Sequence, residues 1–203
     1  LDQVDRAAEP TRAATLLGLL AGHRHTALDH GAALAAYAQA EQLLTAERPS
    51  AERARVLADH AHALLTYERP VEAVLRCEEA IAVARLVGAR AEEARSLDVL
   101  ATCLNHPAEL DRSIALHLEA RRIAEQVGDV ETVIETYGHL AFTLGLAGRD
   151  RDALDDAQEG YQRARQLGLE HATGSYIAGW LAWHLLGSGQ WKECERFTTD
   201  ALA

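Results

Sequence analysis

The amino-acid sequence repeats itself with a period of about 40 residues, and this internal repeat constrains the fold more than any other feature. Some positions take a small residue in each of the first four periods, and another takes a large apolar residue in all five. The small residues are Ala21, Ala61, Ala101 and Ala141, with further sets at Ala33, Ala73, Ser113 and Ala153 and at Ala40, Ala80, Ala120 and Gly160; the large ones are Leu17, Leu57, Leu97, Tyr137 and Ile177. A unit of this length cannot bury its apolar face alone, so successive units must stack on one another.

Each period has the spacing of two helices joined by a short turn. Gly88, Gly128 and Gly168 each follow an apolar run of helical period, at the place where a left-handed residue ends a helix. We predict first helices near 11–24, 51–66, 91–105, 129–147 and 170–186, and second helices near 28–47, 70–87, 109–127, 150–167 and 190–202. Alanine and leucine dominate and only 5% of residues are aromatic, which is typical of packed helices and excludes a β-sandwich or barrel.

The second helices share a short signature, in which a small residue is followed four positions later by a larger one and then by another small one. It reads Ala33-x3-Tyr37-x2-Ala40, Ala73-x3-Cys77-x2-Ala80, Ser113-x3-His117-x2-Ala120, Ala153-x3-Ala157-x2-Gly160 and, less clearly, Glu193-x3-Phe197-x2-Asp200. This pattern resembles the tetratricopeptide repeat (TPR) family, although the period exceeds the usual length of about 34 residues and the family's proline near the end of the second helix is missing. We attribute both departures to a second helix that is longer by about one turn and is ended by glycine.

The resemblance implies an all-α fold, a TPR-like α-solenoid of five helical hairpins of about 40 residues in a right-handed superhelix. We expect residues 1–203 to form a single TPR-like helical repeat domain, with repeats at about 11–48, 49–88, 89–128, 129–168 and 169–203. The chain contains no methionine, not even at position 1, so we expect it to be a fragment of a longer protein.

Two longer stretches narrow the resemblance. Residues 91–97 and 80–88, and the segment from Gly168-Leu169-Glu170 through Gln190-Trp191-Lys192, are similar to the helical region of large MalT-like, ATP-binding transcriptional regulators of the LuxR family. In such proteins a nucleotide-binding module and a helix-turn-helix flank the repeats. The resemblance implies a bacterial signal-transduction protein in which this segment is the sensor region that binds an effector or a partner protein. The alternative is a stand-alone TPR adaptor that binds peptides or partner proteins.

Composition limits the partners. The formal net charge of −11 disfavours a phosphate backbone, so we expect no direct binding of nucleic acid by this segment. No apolar run of about 18 residues is present, so no membrane partner is expected. Three widely separated cysteines fit neither a disulfide nor a zinc pattern, which favours a reducing compartment and a cytoplasmic location. The exposed apolar edge of the last helix would favour some self-association and leaves a homodimer open.

No pattern of residues indicates catalysis, so we predict that the segment is not an enzyme and needs no cofactor. The run from Gly187 to Lys192 has the composition of a phosphate-binding loop, but it lies at a turn between helices and follows no strand. We predict no metal site, since His60 and His62 lie on different helix faces and the pair Cys103 and His106 lacks a third ligand. His117 occupies the packing position of the second helix and is expected in the core. The acidic pairs Glu78-Glu79, Glu92-Glu93 and Asp155-Asp156 are interpreted as solvated faces.

The candidate site is the concave groove that first helices line in a TPR superhelix. The family register places a mostly polar set of side chains there, with an apolar residue towards the C-terminal part. The predicted ligand-binding residues are Arg55, His62, Arg95, Asp98, Thr102, Asn105 and Phe142. Arg55 and Arg95 occupy the same position of successive repeats, so two guanidinium groups on one wall would suit a carboxylate or an acidic peptide. The expected partner is a protein, a peptide or a small effector in this groove. The alternative is that the groove is an ordinary solvated surface that binds no ligand.

Overall fold

The structure is a computed structural model that describes residues 8–46 and 48–201, with only the backbone of Asp200 and Ala201. These ranges contain ten α-helices and no β-strand. The helices are α1 (Pro10–Thr26), α2 (His30–Leu43), α3 (Ala51–Thr66), α4 (Pro70–Val87), α5 (Arg90–Cys103), α6 (Leu110–Val127), α7 (Val130–Leu146), α8 (Asp150–Gln166), α9 (Thr173–Gly187) and α10 (Trp191–Ala201). No helix of the described part is long and apolar enough to cross a membrane.

The prediction of an all-α chain of paired helices is confirmed, and most helix ends lie within three residues of the predicted bounds. The largest difference is at α2, which ends at Leu43 rather than near residue 47. Leu44 leaves the helix and packs among Ala14, Leu17 and Val56, because burying this side chain is worth more than another residue of helix. The predicted last helix and last repeat extend to residues 202 and 203, which lie outside the described residues.

The helices form two compact units. Unit 1 ends at Cys103 and holds α1 to α5, and unit 2 begins at Leu104 and holds α6 to α10. The boundary falls between the two helices of the third predicted repeat, about 89–128. The assignment of residues 1–203 to a single domain stays a prediction.

Every small-residue register of the sequence is buried in the structure. Ala21, Ala61, Ala101 and Ala141 are fully buried, as are Ala33, Ala73, Ser113 and Ala153. The large apolar register is buried as well, at Leu17, Leu57, Leu97, Tyr137 and Ile177. A small side chain on one helix therefore makes room for a large one on its neighbour, and this match recurs along the chain.

Glycine residues end the second helices as the sequence predicts. Gly88, Gly128 and Gly168 have φ angles of 71°, 73° and 69°, in the left-handed region where a Cβ is costly. The turns inside the hairpins also use this conformation, with Gly148 in repeat four but Leu28 and Glu68 in repeats one and two. Those two residues hold a backbone conformation that glycine would adopt without strain.

Some charged side chains are withdrawn from solvent, so the interpretation of the acidic pairs as solvated faces is wrong for Glu92, Glu93 and Asp156, whose side chains are 12%, 2% and 13% exposed. Glu93 is 2% exposed and accepts hydrogen bonds from Arg85, at 2.7 Å, and from Arg90. Glu79 accepts from the buried guanidinium of Arg53, which also donates to the Leu44 carbonyl oxygen. The pairs of Glu93 with Arg85 and of Glu79 with Arg53 connect neighbouring helices of unit 1. They add specificity to the choice of neighbouring helix, which apolar packing alone provides less well.

In unit 2 the corresponding connection runs through Arg121. Its guanidinium donates to both carboxylate oxygens of Asp156, at 2.8 and 3.0 Å, and lies 3.6 Å from the centre of the Tyr137 ring. It also donates to the Thr136 hydroxyl at 3.4 Å. One side chain of α6 thereby contacts both α7 and α8 through a bidentate ion pair and a cation–π contact.

The tightest helix approach provides a test of the packing. A Cβ added at Gly160 would lie 2.4 Å from the Cβ of Tyr137, so Gly160→Ala should lower the free energy of unfolding by about 1 to 3 kcal/mol. Gly179, in the middle of α9, has no neighbouring atom within 4 Å of such a Cβ. Gly179→Ala should therefore raise stability by about 0.5 to 1 kcal/mol, as alanine does in a helix. Urea denaturation followed by circular dichroism measures both, and equal effects would contradict this packing.

The buried carboxylate of Glu93 gives a second test. Glu93→Gln removes the charge that two arginines share, and we expect a loss of about 1.5 to 3 kcal/mol in the free energy of unfolding. Glu78 is exposed on α4, and Glu78→Gln should change stability by less than about 0.5 kcal/mol. A Glu93 variant as stable as the Glu78 variant would show that the ion pairs contribute nothing to folding.

Candidate binding surfaces on the two units

Unit 1 carries a cavity of about 580 Å³ between α1 and α3, which we call the α1–α3 cavity. Both walls are first helices of their repeats, the helices that line the concave side in the predicted arrangement. The lining residues are Thr15, Gly18, Leu19, Gly22, His23, His25, Thr26, Tyr37, Ala51, Glu52, Arg55, Val56, Asp59 and His62. This volume is within the usual range for a ligand site, and the walls mix apolar, polar and charged groups.

Two of the predicted site residues, Arg55 and His62, lie on the wall of this cavity. The Arg55 side chain is 62% exposed and donates to Glu92 at 3.0 Å, while Arg95 donates to the cavity residue Asp59 at 3.2 Å. Each of the two predicted arginines therefore has a carboxylate partner on the neighbouring first helix, and of the two it is Arg55 that lines the cavity. The Arg55 end of its pair is open to solvent, but the Glu92 side chain is only 12% exposed, so a ligand that takes Arg55 must also leave this carboxylate without that partner.

The Arg95 side chain, which pairs with Asp59, is 34% exposed and thus less accessible than that of Arg55. Burial raises the pKa of Asp59 above its ordinary value, and the nearby Arg95 guanidinium offsets only part of that rise. Releasing Arg95 to a ligand would leave this carboxylate without its cation, so Arg95 is the less available of the two arginines.

Aromatic and imidazole rings form the other end of the cavity. The Nδ1 atom of His25 lies 2.7 Å from the hydroxyl oxygen of Tyr67, and the His25 ring centre lies 5.7 Å from that of His62. His30 stacks on Tyr67 at 3.9 Å. Burial, and then the neighbouring His30, lower the pKa of His25, so its ring is neutral at pH 7 and gains charge only in more acidic solution.

The register was wrong about the exposure of Asp98. Its side chain is buried, with 2% exposed, so it lies in the interior of unit 1 and not on an open groove. Thr102 is half-buried, and its hydroxyl donates to the backbone carbonyl oxygen of Asp98 at 3.1 Å. Neighbouring helices therefore cover more of the surface of α5 than the family register implies.

In unit 2, Asn105 also belongs to an interior polar cluster. Its Oδ1 accepts hydrogen bonds from the hydroxyls of Ser113 and Thr143, both at 2.9 Å. The Thr143 hydroxyl oxygen lies 3.2 Å from Nε2 of His117, which is fully buried, and the prediction that His117 is a core residue is confirmed. Asn105 therefore connects α6 and α7 through these two hydrogen bonds.

Phe142 lines a second cavity, of about 350 Å³, in unit 2. The other lining residues are Gly145, Leu146, Asp150, Trp180, Trp183 and His184. Phe142 lies 4.6 Å from Trp180 between ring centres, and burial lowers the pKa of His184 below its ordinary value. The sequence interpretation missed both tryptophans. The signal was present, since two of the chain's three tryptophans are three residues apart and so share a face of one helix.

The described residues hold no group of three histidine, cysteine or acidic side chains that could bind a metal ion. The run from Gly187 to Lys192 is the turn between α9 and α10, preceded by a helix and not by a strand.

No protein-family model matches the sequence, and no curated protein matches it. Several solved structures match the fold. The TPR-like repeats of a kinesin light chain from Podosopora anserina match with a TM-score of 0.69 and 18% identity, over 95% of this chain and 94% of that one. BtubC (BKLC) from P. vanneervenii matches with a TM-score of 0.74 and 15% identity, over 97% and 82%, and apo RapI with 0.73 and 10%, over 93% and 68%. At these identities the likeness shows the fold alone, which is that of a TPR-like repeat solenoid.

The lowered histidine pKa values give a test of the two cavities. NMR titration should place the midpoints of His25 and His184 below the ordinary value of 6.5. Because the folded state prefers the neutral rings, stability contributed by them is present above the unfolded pKa and is lost as pH falls towards the folded one. His25→Gln and His184→Gln assign the resonances, and midpoints at or above 6.5 would contradict the burial of these rings.

Proposed function

We propose that this protein is a non-catalytic scaffold that binds a protein or peptide partner in the α1–α3 cavity. The observation that carries the proposal is the cavity itself: an open space of about 580 Å³ lies between first helices, with the exposed side chain of Arg55 on its wall. The likeness to TPR-like repeat proteins supports a scaffold, since stacked hairpins provide an extended surface without a catalytic group.

Arg55 is the lining residue that suits a carboxylate-bearing partner, and it lies on the same wall as the acidic residues Glu52 and Asp59. Arg55 offers a planar fork of donors that fits a carboxylate, and replacing Glu92 with the partner's carboxylate conserves the number of ion pairs. Thr15 and Thr26 supply hydroxyls, and Leu19 and Val56 supply apolar contact on the same walls. An acidic peptide with an apolar residue beside its carboxylate is the partner that these groups fit.

At a finer level, we propose that the segment is the sensor region of a bacterial transcription regulator. The similarity of residues 168–192 to the repeat region of MalT-like regulators supports this role. The competing proposal is a stand-alone adaptor. The surrounding genome sequence distinguishes them, because a regulator requires a phosphate-loop module before the repeats and a helix-turn-helix after them.

Binding of acidic peptides tests the scaffold role. In a fluorescence-anisotropy screen of an acidic peptide library, we expect saturable binding that Arg55→Ala weakens by about three- to fivefold, because a pair with an exposed arginine is worth about 1 kcal/mol or less. Arg95→Ala added to Arg55→Ala should weaken it further.

Arg69→Ala is the matched control, because Arg69 is also an exposed, ion-paired arginine of unit 1 but does not line the cavity. Equal affinities for the Arg55 and Arg69 variants would remove the cavity from consideration. The absence of binding by any peptide in the library would count against an acidic partner altogether.

A further inference from the structure

Unit 2 has a second site of different chemistry, formed by Phe142, Trp180, Trp183 and Asp150, which we call the aromatic cage. The rings of Phe142 and Trp180 are inclined at 37°, and Tyr176 packs edge-on against Trp180 with ring centres 6.0 Å apart. Tyr176 thereby fixes the orientation of Trp180 from outside the cage. Trp183 is 67% exposed, which is unusual for a residue of this size and leaves its ring available to a partner.

The cage has a negative charge and no cation among its lining residues. Asp150 is exposed at the start of α8, and no arginine or lysine is among the residues that line the cavity. His184 is the remaining titratable group of the wall. Its ring is buried and interacts electrostatically with the Asp150 carboxylate. Aromatic faces beside a carboxylate attract organic cations, because the electron-rich ring faces and the carboxylate both favour positive charge.

Unit 2 itself shows which cation such an arrangement accepts. Arg121 lies over the Tyr137 ring and forms a bidentate pair with Asp156, so an aromatic face and an aspartate together hold a guanidinium. The aromatic cage presents the same two groups, Trp180 or Trp183 and Asp150, and its lining, as far as the structure describes the chain, includes no arginine. A volume of about 350 Å³ accommodates one long side chain and is too small for a folded element.

We propose that the aromatic cage binds an arginine side chain of a partner peptide. The guanidinium stacks on the tryptophan faces and donates to the Asp150 carboxylate, and Leu146 and Phe142 contact the aliphatic part of the side chain. This site is independent of the α1–α3 cavity, since it lies in the other unit and selects the opposite charge.

The test uses the whole 203-residue protein and three short peptides that carry arginine, citrulline or glutamate at the centre of a glycine sequence. Citrulline has nearly the shape of arginine but no charge. We expect the arginine peptide to shift the indole NMR resonances of Trp180 and Trp183 saturably, and to bind at least about fivefold more tightly than the citrulline peptide. The glutamate peptide should cause no such shift.

Variants with matched controls separate the cage from the rest of the surface. Asp150→Asn and Trp183→Ala should each weaken binding of the arginine peptide by about three- to tenfold, since an exposed ion pair and a cation–π contact are each of modest strength. Trp191→Ala and Asp155→Asn should leave the affinity unchanged, because Trp191 is 70% exposed outside the cage and Asp155 is exposed on α8. All four residues are at the surface, so the variants should fold.

Equal binding of the arginine and citrulline peptides would overturn the proposal, because the cage would then be an apolar pocket without charge selection. An Asp150→Asn variant with undiminished affinity would overturn it as well. Neither result would affect binding of acidic peptides in unit 1, which depends on Arg55, so failure of one site is distinguishable from failure of the other.

Discussion

The close approach of paired helices at small residues is the constraint on which the structure depends. A helix can pack against its partner at this distance only where one side carries a small residue, and each helix of the first four periods meets that condition. Where the partner is largest, even a methyl group is excluded: the Tyr137 side chain leaves space only for the glycine at position 160. The position of every binding surface follows from this spacing.

Buried ion pairs make this packing specific for particular helix neighbours. Alanine registers are alike in every repeat, so they permit a helix to pair with more than one neighbour, whereas a buried carboxylate is satisfied only by the arginine opposite it. Glu93 and Arg53 in unit 1 and Arg121 in unit 2 differ in their partners from one repeat to the next. Such charges cost desolvation energy, and in this chain we regard them as a means of selecting one stacking order.

The sequence predicts the fold far better than it predicts the site. Periodic small residues and terminal glycines depend on local geometry, so they fixed helix ends and buried faces, and His117 was assigned correctly. Asp98 and Asn105 were misplaced because a family register says which side of a helix faces the groove but not how much the neighbouring helix covers. Other contacts could not be read from the sequence, because they join residues almost 40 positions apart. Examples are the ion pair between Arg55 and Glu92 and the ring contact between Phe142 and Trp180.

The shared geometry of the glycine junctions has a consequence for how such a gene can change length. Gly88 and Gly128 leave their helices with φ angles only 2° apart, so the backbone turns in the same way at both junctions. A duplication that spans one period joins two equivalent junctions and keeps every register intact. Lengthening in steps of about 120 nucleotides is therefore tolerated, whereas an insertion of a few codons within a helix rotates everything after it off its buried face.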